Sequence, residues 1–132
     1  MLTKDTELTA KRPIYLNLLK IRLPTTGIVS FAHRVSGFLL FLAIPFSIYL
    51  LDLSVTSMQG FDETRQLLQQ PLIQFIMLIL VWSLVHHFLA GIRYLLLDLD
   101  IGVEKRGSNV SAWIVIAAEL VIMVAYIWGV LL

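Results

Sequence analysis

The chain has 132 residues, of which 58% are hydrophobic and only 14% charged, with a mean hydropathy of +0.86. A soluble domain carries about 25% charged residues, and so short a chain has too little interior to hide that much apolar surface from water. A water-soluble globular monomer is therefore excluded, and lipid is the expected solvent. Cysteine is absent, which removes disulfides, thiolate metal sites and a cysteine nucleophile. The net charge of +1 gives no general attraction to nucleic acid, and no nucleic-acid partner is expected.

Residues 1–22 are polar and mixed in charge. No apolar run and small-residue cleavage site follow the charged start, so they do not read as a secretory signal, and Asp5 and Glu7 argue against a mitochondrial transit peptide. The expectation is a cytoplasmic tail, with a possible short interfacial helix over Ile14–Lys20 before Pro24. Three long apolar stretches come next. Leu23 to Leu51 holds Arg34 as its one charge, Gln66 to Ile92 holds no Asp, Glu, Lys or Arg, and Gly107 to Leu132 holds only Glu119. A spanning helix needs about 20 apolar residues. The predicted architecture is an all-α integral membrane protein with spans near 27–51, 71–97 and 110–131, joined by loops. Pro45 is expected to kink the first span.

Lysine and arginine placement sets the expected orientation. Lys4, Lys11, Arg12, Lys20 and Arg22 precede span one, and Arg93, Lys105 and Arg106 lie at or beyond the end of span two. The first loop has Arg65 against Asp52, Asp62 and Glu63. This pattern puts the N-terminus in the cytoplasm and the C-terminus outside; with no transit-peptide pattern in residues 1–22, the expected location is a bacterial inner membrane with the C-terminus periplasmic.

Ionisable residues inside a span are costly, so each is a functional candidate. Ser30, His33, Arg34 and Gly37 recur at i, i+3, i+4 and i+7, one face of a helix. Arg34 lies about 10 Å inside the membrane and His87 roughly 15 Å deep from the same side, at 1.5 Å per residue. Arg34 either snorkels to the headgroups or holds an anion or polar ligand. His87 has Gly91 one turn on, which leaves a slot beside its ring suited to a flat macrocycle. A neutral imidazole is also an axial donor for haem iron. The alternative for His87 is a hydrogen bond to another helix. His86 points about 100° away and reads as a packing or hydrogen-bonding residue. Arg93 and Tyr94 read as anchors near the inner surface. Glu119 has no basic partner in its own helix and is expected neutral, hydrogen-bonded or facing a partner helix. Three histidines leave room for one shared metal centre at most, so a self-contained di-haem cytochrome is excluded.

The segments Arg12-Pro13, Ser30-Phe31-Ala32-His33-Arg34-Val35-Ser36-Gly37 and His87-x-x-x-Gly91-Ile92-Arg93 with Asp98 together resemble the cytochrome b subunit of succinate dehydrogenase. That family supplies the larger membrane anchor of succinate:quinone oxidoreductase. The resemblance runs from about Lys11 to the C-terminus. It implies that His87 is an axial ligand of haem b, with the second ligand from the smaller hydrophobic anchor subunit. Ser30 and Arg34 match residues lining the ubiquinone pocket, and His33 and Arg34 match the region of the haem propionates. A flavoprotein subunit and an iron–sulfur subunit would carry the succinate chemistry of the tricarboxylic acid cycle. The anchor would then pass electrons to ubiquinone in the respiratory chain and contribute no catalytic residue to succinate oxidation. The chain departs from the family pattern at Tyr94, where many relatives have His. A phenol still donates a hydrogen bond there but carries no positive charge. Two further readings accompany this one: a haem-free structural anchor of a similar complex, and a small transporter subunit using Arg34 and Glu119.

Overall fold

The computed structural model describes residues 23–131; the N-terminal segment 1–22, with its expected tail and interfacial helix, lies outside them. Helix α1 spans Thr25–Thr56, α2 Met58–Leu68, α3 Pro71–Asp98 and α4 Lys105–Leu131. The backbone dictates this: within lipid, helices satisfy every N–H and C=O inside one segment. Three of the four, α1, α3 and α4, are long and apolar enough to cross a membrane. They run past the expected span ends, α1 to Thr56 and α4 from Lys105. Pro45 lies inside α1, whose helical conformation continues on both sides of it.

The region expected as the first loop is itself helical. Ser57 breaks α1 with extended dihedrals, and its Oγ accepts the Gly60 N–H at 3.0 Å, capping α2. Gly60 is buried because α2 folds directly back on α1. A Cβ there would stand 2.2 Å from the Leu53 carbonyl oxygen, a backbone atom that cannot swing aside. The other connection, 99–104, turns through left-handed Asp100 (φ 60°) and Gly102 (φ 75°). Asp98 and Asp100 are exposed.

The apolar core is small: Val29, Ala90, Ala112 and Val115. Large apolar side chains such as Phe38, Phe41, Leu120 and Trp128 point outward instead. Burying them gains nothing when the solvent is hydrocarbon, so the interfaces go to small residues that let backbones approach. α3 contacts both α1 and α4, which also touch each other.

Gly60→Ala is expected to cost about 1–3 kcal/mol through overpacking at Leu53. Thermal unfolding of the purified protein in detergent checks this. Gln59→Ala, at an exposed position of the same helix, is expected to leave the midpoint within experimental error.

Candidate functional site

α1 and α3 meet through a stripe made of Val29, His33, Ser36 and Gly37 on α1 and His86, His87 and Gly91 on α3. Gly37 decides the approach. A Cβ there would lie 2.9 Å from His87 Cε1 and 3.2 Å from its Nδ1, so only glycine admits the ring at this height. The His87 Nδ1 lies 3.2 Å from the His33 carbonyl oxygen and 3.4 Å from Ser36 Oγ. A carbonyl only accepts, so Nδ1 carries the hydrogen and donates. Ser36 is fully buried, and its hydroxyl donates to the same carbonyl at 2.9 Å. Its oxygen is thus free to share the His87 hydrogen. Nε2 then holds the ring's lone pair, and no described residue hydrogen-bonds to it. His33 stacks on His87, with ring centroids 4.1 Å apart and planes 5° off parallel. The space expected beside Gly91 receives this His33 ring, whose Nε2 would sit 3.8 Å from a Cβ added at Gly91. Tyr94 meets His33 edge to face at 5.2 Å. The Tyr94 hydroxyl is buried without a hydrogen-bond partner among the described residues.

The four polar positions on the face predicted for α1 separate into two pairs. His33 and Gly37 turn to α3. Ser30 is half-buried and Arg34 exposed, side by side at the margin of that interface. Arg34 has no hydrogen-bond or ion-pair partner among the described residues. The structure thus brings His33 to His87 and leaves Ser30 and Arg34 open beside them.

His86 behaves as the hydrogen-bonding residue expected. It is 3% exposed; its Nε2 lies 3.3 Å from the Val29 carbonyl and its Nδ1 2.7 Å from Glu119 Oε2. The Trp82 indole N–H donates to the other carboxyl oxygen of Glu119, and Trp82 stacks on the His86 ring at 5.5 Å. The mid-span acid therefore finds its partner on α3. Nε2 must donate to the carbonyl, which leaves one hydrogen between Nδ1 and Oε2. Whichever atom owns it, the pair is neutral overall, which is how a carboxyl and an imidazole share a low-dielectric site at tolerable cost.

Arg93 was expected as a surface anchor. It is 5% exposed and bridges α3 to α4 instead. Nε donates to Ser111 Oγ at 2.9 Å, and Nη2 donates to the Ser108 carbonyl at 3.0 Å and the Ser108 hydroxyl at 2.9 Å. Sequence reasoning had not singled out Ser36, Trp82, Ser108 or Ser111. Ser36 at the helical spacing of His33, next to Gly37, is the one signal that pointed to any of them. Among the described residues no group of three or more His, Cys, Asp or Glu is arranged to hold a metal ion.

These residues sit within a stretch that matches a known profile. The profile for the succinate dehydrogenase/fumarate reductase transmembrane subunit covers residues 9–126. The chain belongs to that family. Among curated proteins it is similar to the succinate dehydrogenase cytochrome b556 subunit of Coxiella burnetii, 35% identical over 123 residues, 92% of this chain and 98% of that one. The subunit of the same name from Paracoccus denitrificans is 31% identical over 113 residues, 86% and 87% of the two chains. That of Rickettsia typhi is 24% identical over 116 residues, 88% and 90%. The chain is thus a membrane-anchor cytochrome b subunit of succinate dehydrogenase type, as its histidine and arginine motifs implied.

In this transmembrane subunit Arg93→Leu is expected to lower stability by about 2–3 kcal/mol, the worth of its charge-assisted contacts to α4. Arg93→Lys should recover only part, because one ammonium cannot reproduce a planar fork on two serines. Detergent melting temperatures of the three proteins measure it; equal midpoints would contradict a structural role for Arg93.

Proposed function

We propose that this subunit holds haem b through His87 Nε2 and contributes Ser30 and Arg34 to a ubiquinone reduction site. The observation that carries the reading is the His87 hydrogen bond to the His33 carbonyl. A metal-bound imidazole is set up in this way: the remote N–H on a fixed acceptor, the tautomer decided, the ligating nitrogen more basic. The donor chemistry therefore fits the group. When bound, haem b takes up and returns single electrons. As the family resemblance implies, a second ligand to the haem would come from the smaller hydrophobic anchor subunit.

The remaining work belongs to this chain's own side chains. Arg34 presents a planar, permanently charged guanidinium with no described partner. Such a group can hold a haem propionate bidentately, or stabilise negative charge on a quinone oxygen as electrons arrive. His33, stacked on His87, would lie in the region of the haem propionates, as the family resemblance implies. Ser30, one turn from Arg34, can donate a hydrogen bond that orients the quinone ring. Reduction to quinol consumes two electrons and two protons. The electrons come from the iron–sulfur subunit, which receives them from succinate through the flavoprotein subunit. Lipid contacts the outward Phe, Leu and Ile side chains. The charge pattern supports an orientation with the N-terminus cytoplasmic and the C-terminus on the opposite side, periplasmic in a bacterial inner membrane, so that Arg34 and His87 sit toward the face where the two soluble subunits dock.

The assembled complex, with its partner subunits, tests this. His87→Ala is expected to abolish the b-type band in a reduced-minus-oxidised spectrum of membranes that still contain the complex. Arg34→Ala should cut quinone reduction on the order of 10²–10³-fold, with succinate oxidation by a soluble dye nearly intact. A haem band that survives His87→Ala, or equal loss of both activities in Arg34→Ala, would overturn the assignments.

A further inference from the structure

The most elaborate polar group in the membrane-spanning part does not touch the proposed site at all. Glu119, His86 and Trp82 lie on the wall of a cavity of about 560 Å³ whose remaining lining is apolar, including Ile28, Ala32 and Leu120. The polar atoms on its wall are already engaged. Glu119 Oε1 accepts from Trp82, Oε2 faces His86 Nδ1, and His86 Nε2 donates to Val29. No ring nitrogen of His86 is left over to recognise anything.

What the cluster does is mechanical, and its neighbour in sequence shows where. His86 and His87 are consecutive on α3, about 100° apart around the helix. Each donates to a backbone carbonyl of α1: His86 to Val29 and His87 to His33. Those carbonyls are four residues apart, just over one helical turn, about 6 Å along α1. Two contacts at different angles on α3 and different heights on α1 fix both the rotation and the axial offset of one helix against the other. A single contact would fix neither. His87 is flanked within the α1–α3 interface by the stacked His33 ring and Ser36, whereas His86 is also held from the third helix. Glu119 on α4 holds Nδ1 of His86 and Trp82 covers the ring, so the imidazole cannot turn away from Val29.

We propose that the Glu119–His86 pair is a positioning device for His87, pinning α3 to the Val29 carbonyl so that the His87 Nδ1–H stays on the His33 carbonyl one turn away. This rests on the reading of His87 as an axial ligand. Loss of the pair lets α3 rotate, lengthens the His87 hydrogen bond and makes the ring a poorer electron donor to iron. Poorer donation favours the reduced metal, so the haem midpoint potential rises. The network needs one hydrogen between the two side chains and one acceptor for Trp82. A glutamine meets both needs, because its amide N–H donates to His86 Nδ1 while its oxygen accepts from the indole.

The test uses the assembled complex in detergent, with redox titration of the haem band and low-temperature electron paramagnetic resonance of the oxidised haem. Glu119→Leu and His86→Phe are expected to raise the midpoint potential and shift the low-spin g-values, while haem remains bound. Glu119→Gln is expected to match the wild type in both readouts. A purely structural role would lower melting temperature and yield without moving the potential of the haem that remains. Unmoved potential and g-values in either apolar variant overturn the proposal, and so does a Glu119→Gln complex displaced from wild type. Where an apolar variant fails to assemble, a displaced Glu119→Gln complex still overturns the proposal. A wild-type complex without haem overturns the reading of His87 itself, and this proposal with it.

Discussion

A polar atom in the hydrocarbon of a bilayer has no water to fall back on. Each histidine, serine, arginine and glutamate inside the spans must find its partner within protein, and the partners available are chiefly other helices. That constraint accounts for the most distinctive feature of this molecule, two adjacent imidazoles of α3 each donating to a backbone carbonyl of α1. Helix carbonyls accept a second hydrogen bond without giving up the first, since each has two lone pairs. They are therefore acceptors already in place, and glycine at position 37 is what lets an imidazole reach one of them.

The same constraint shapes the packing. Apolar burial drives little association when the alternative environment is also apolar, and the buried apolar set is only a handful of small side chains. Specific pairing falls to polar clamps at separate heights. Ser57 and Gly60 seat α2 on α1 at one end. The His86, Glu119 and Trp82 cluster joins all three long helices. Arg93 ties α3 to the start of α4 through two serines. The resulting frame is stiff where His87 stands, while Ser30 and Arg34 remain open at its edge. A site that must hold one group rigidly and admit another that comes and goes needs that division.

Much of this was legible in the sequence because lipid simplifies the code. Charge-free runs marked the spans, and the positions of the few polar residues within them marked the interfaces. Gly91 one turn beyond His87 set the two adjacent histidines apart in the sequence, whereas in the structure both reach backbone carbonyls of α1. Pairings across helices were not legible. Periodicity says which face a residue occupies and not what stands opposite, so Glu119 had no visible partner and Arg93 read as an anchor. Helix α2 was hidden for a different reason. Its eleven residues are polar and short, and their helix depends on the Ser57 cap and on Gly60 fitting under Leu53. The His33 ring beside Gly91 was likewise hidden, because a glycine signals room without naming the occupant.

The central claim is that the His33 carbonyl fixes the His87 ring so that Nε2 is the nitrogen offered to iron. A density map of the assembled complex in a lipid nanodisc, at a resolution that orients imidazole rings, tests it most directly. The account predicts iron on His87 Nε2, with Nδ1 still within hydrogen-bonding distance of the His33 oxygen. Iron on His86, iron on His87 Nδ1, or a His87 ring turned away from that carbonyl would contradict it.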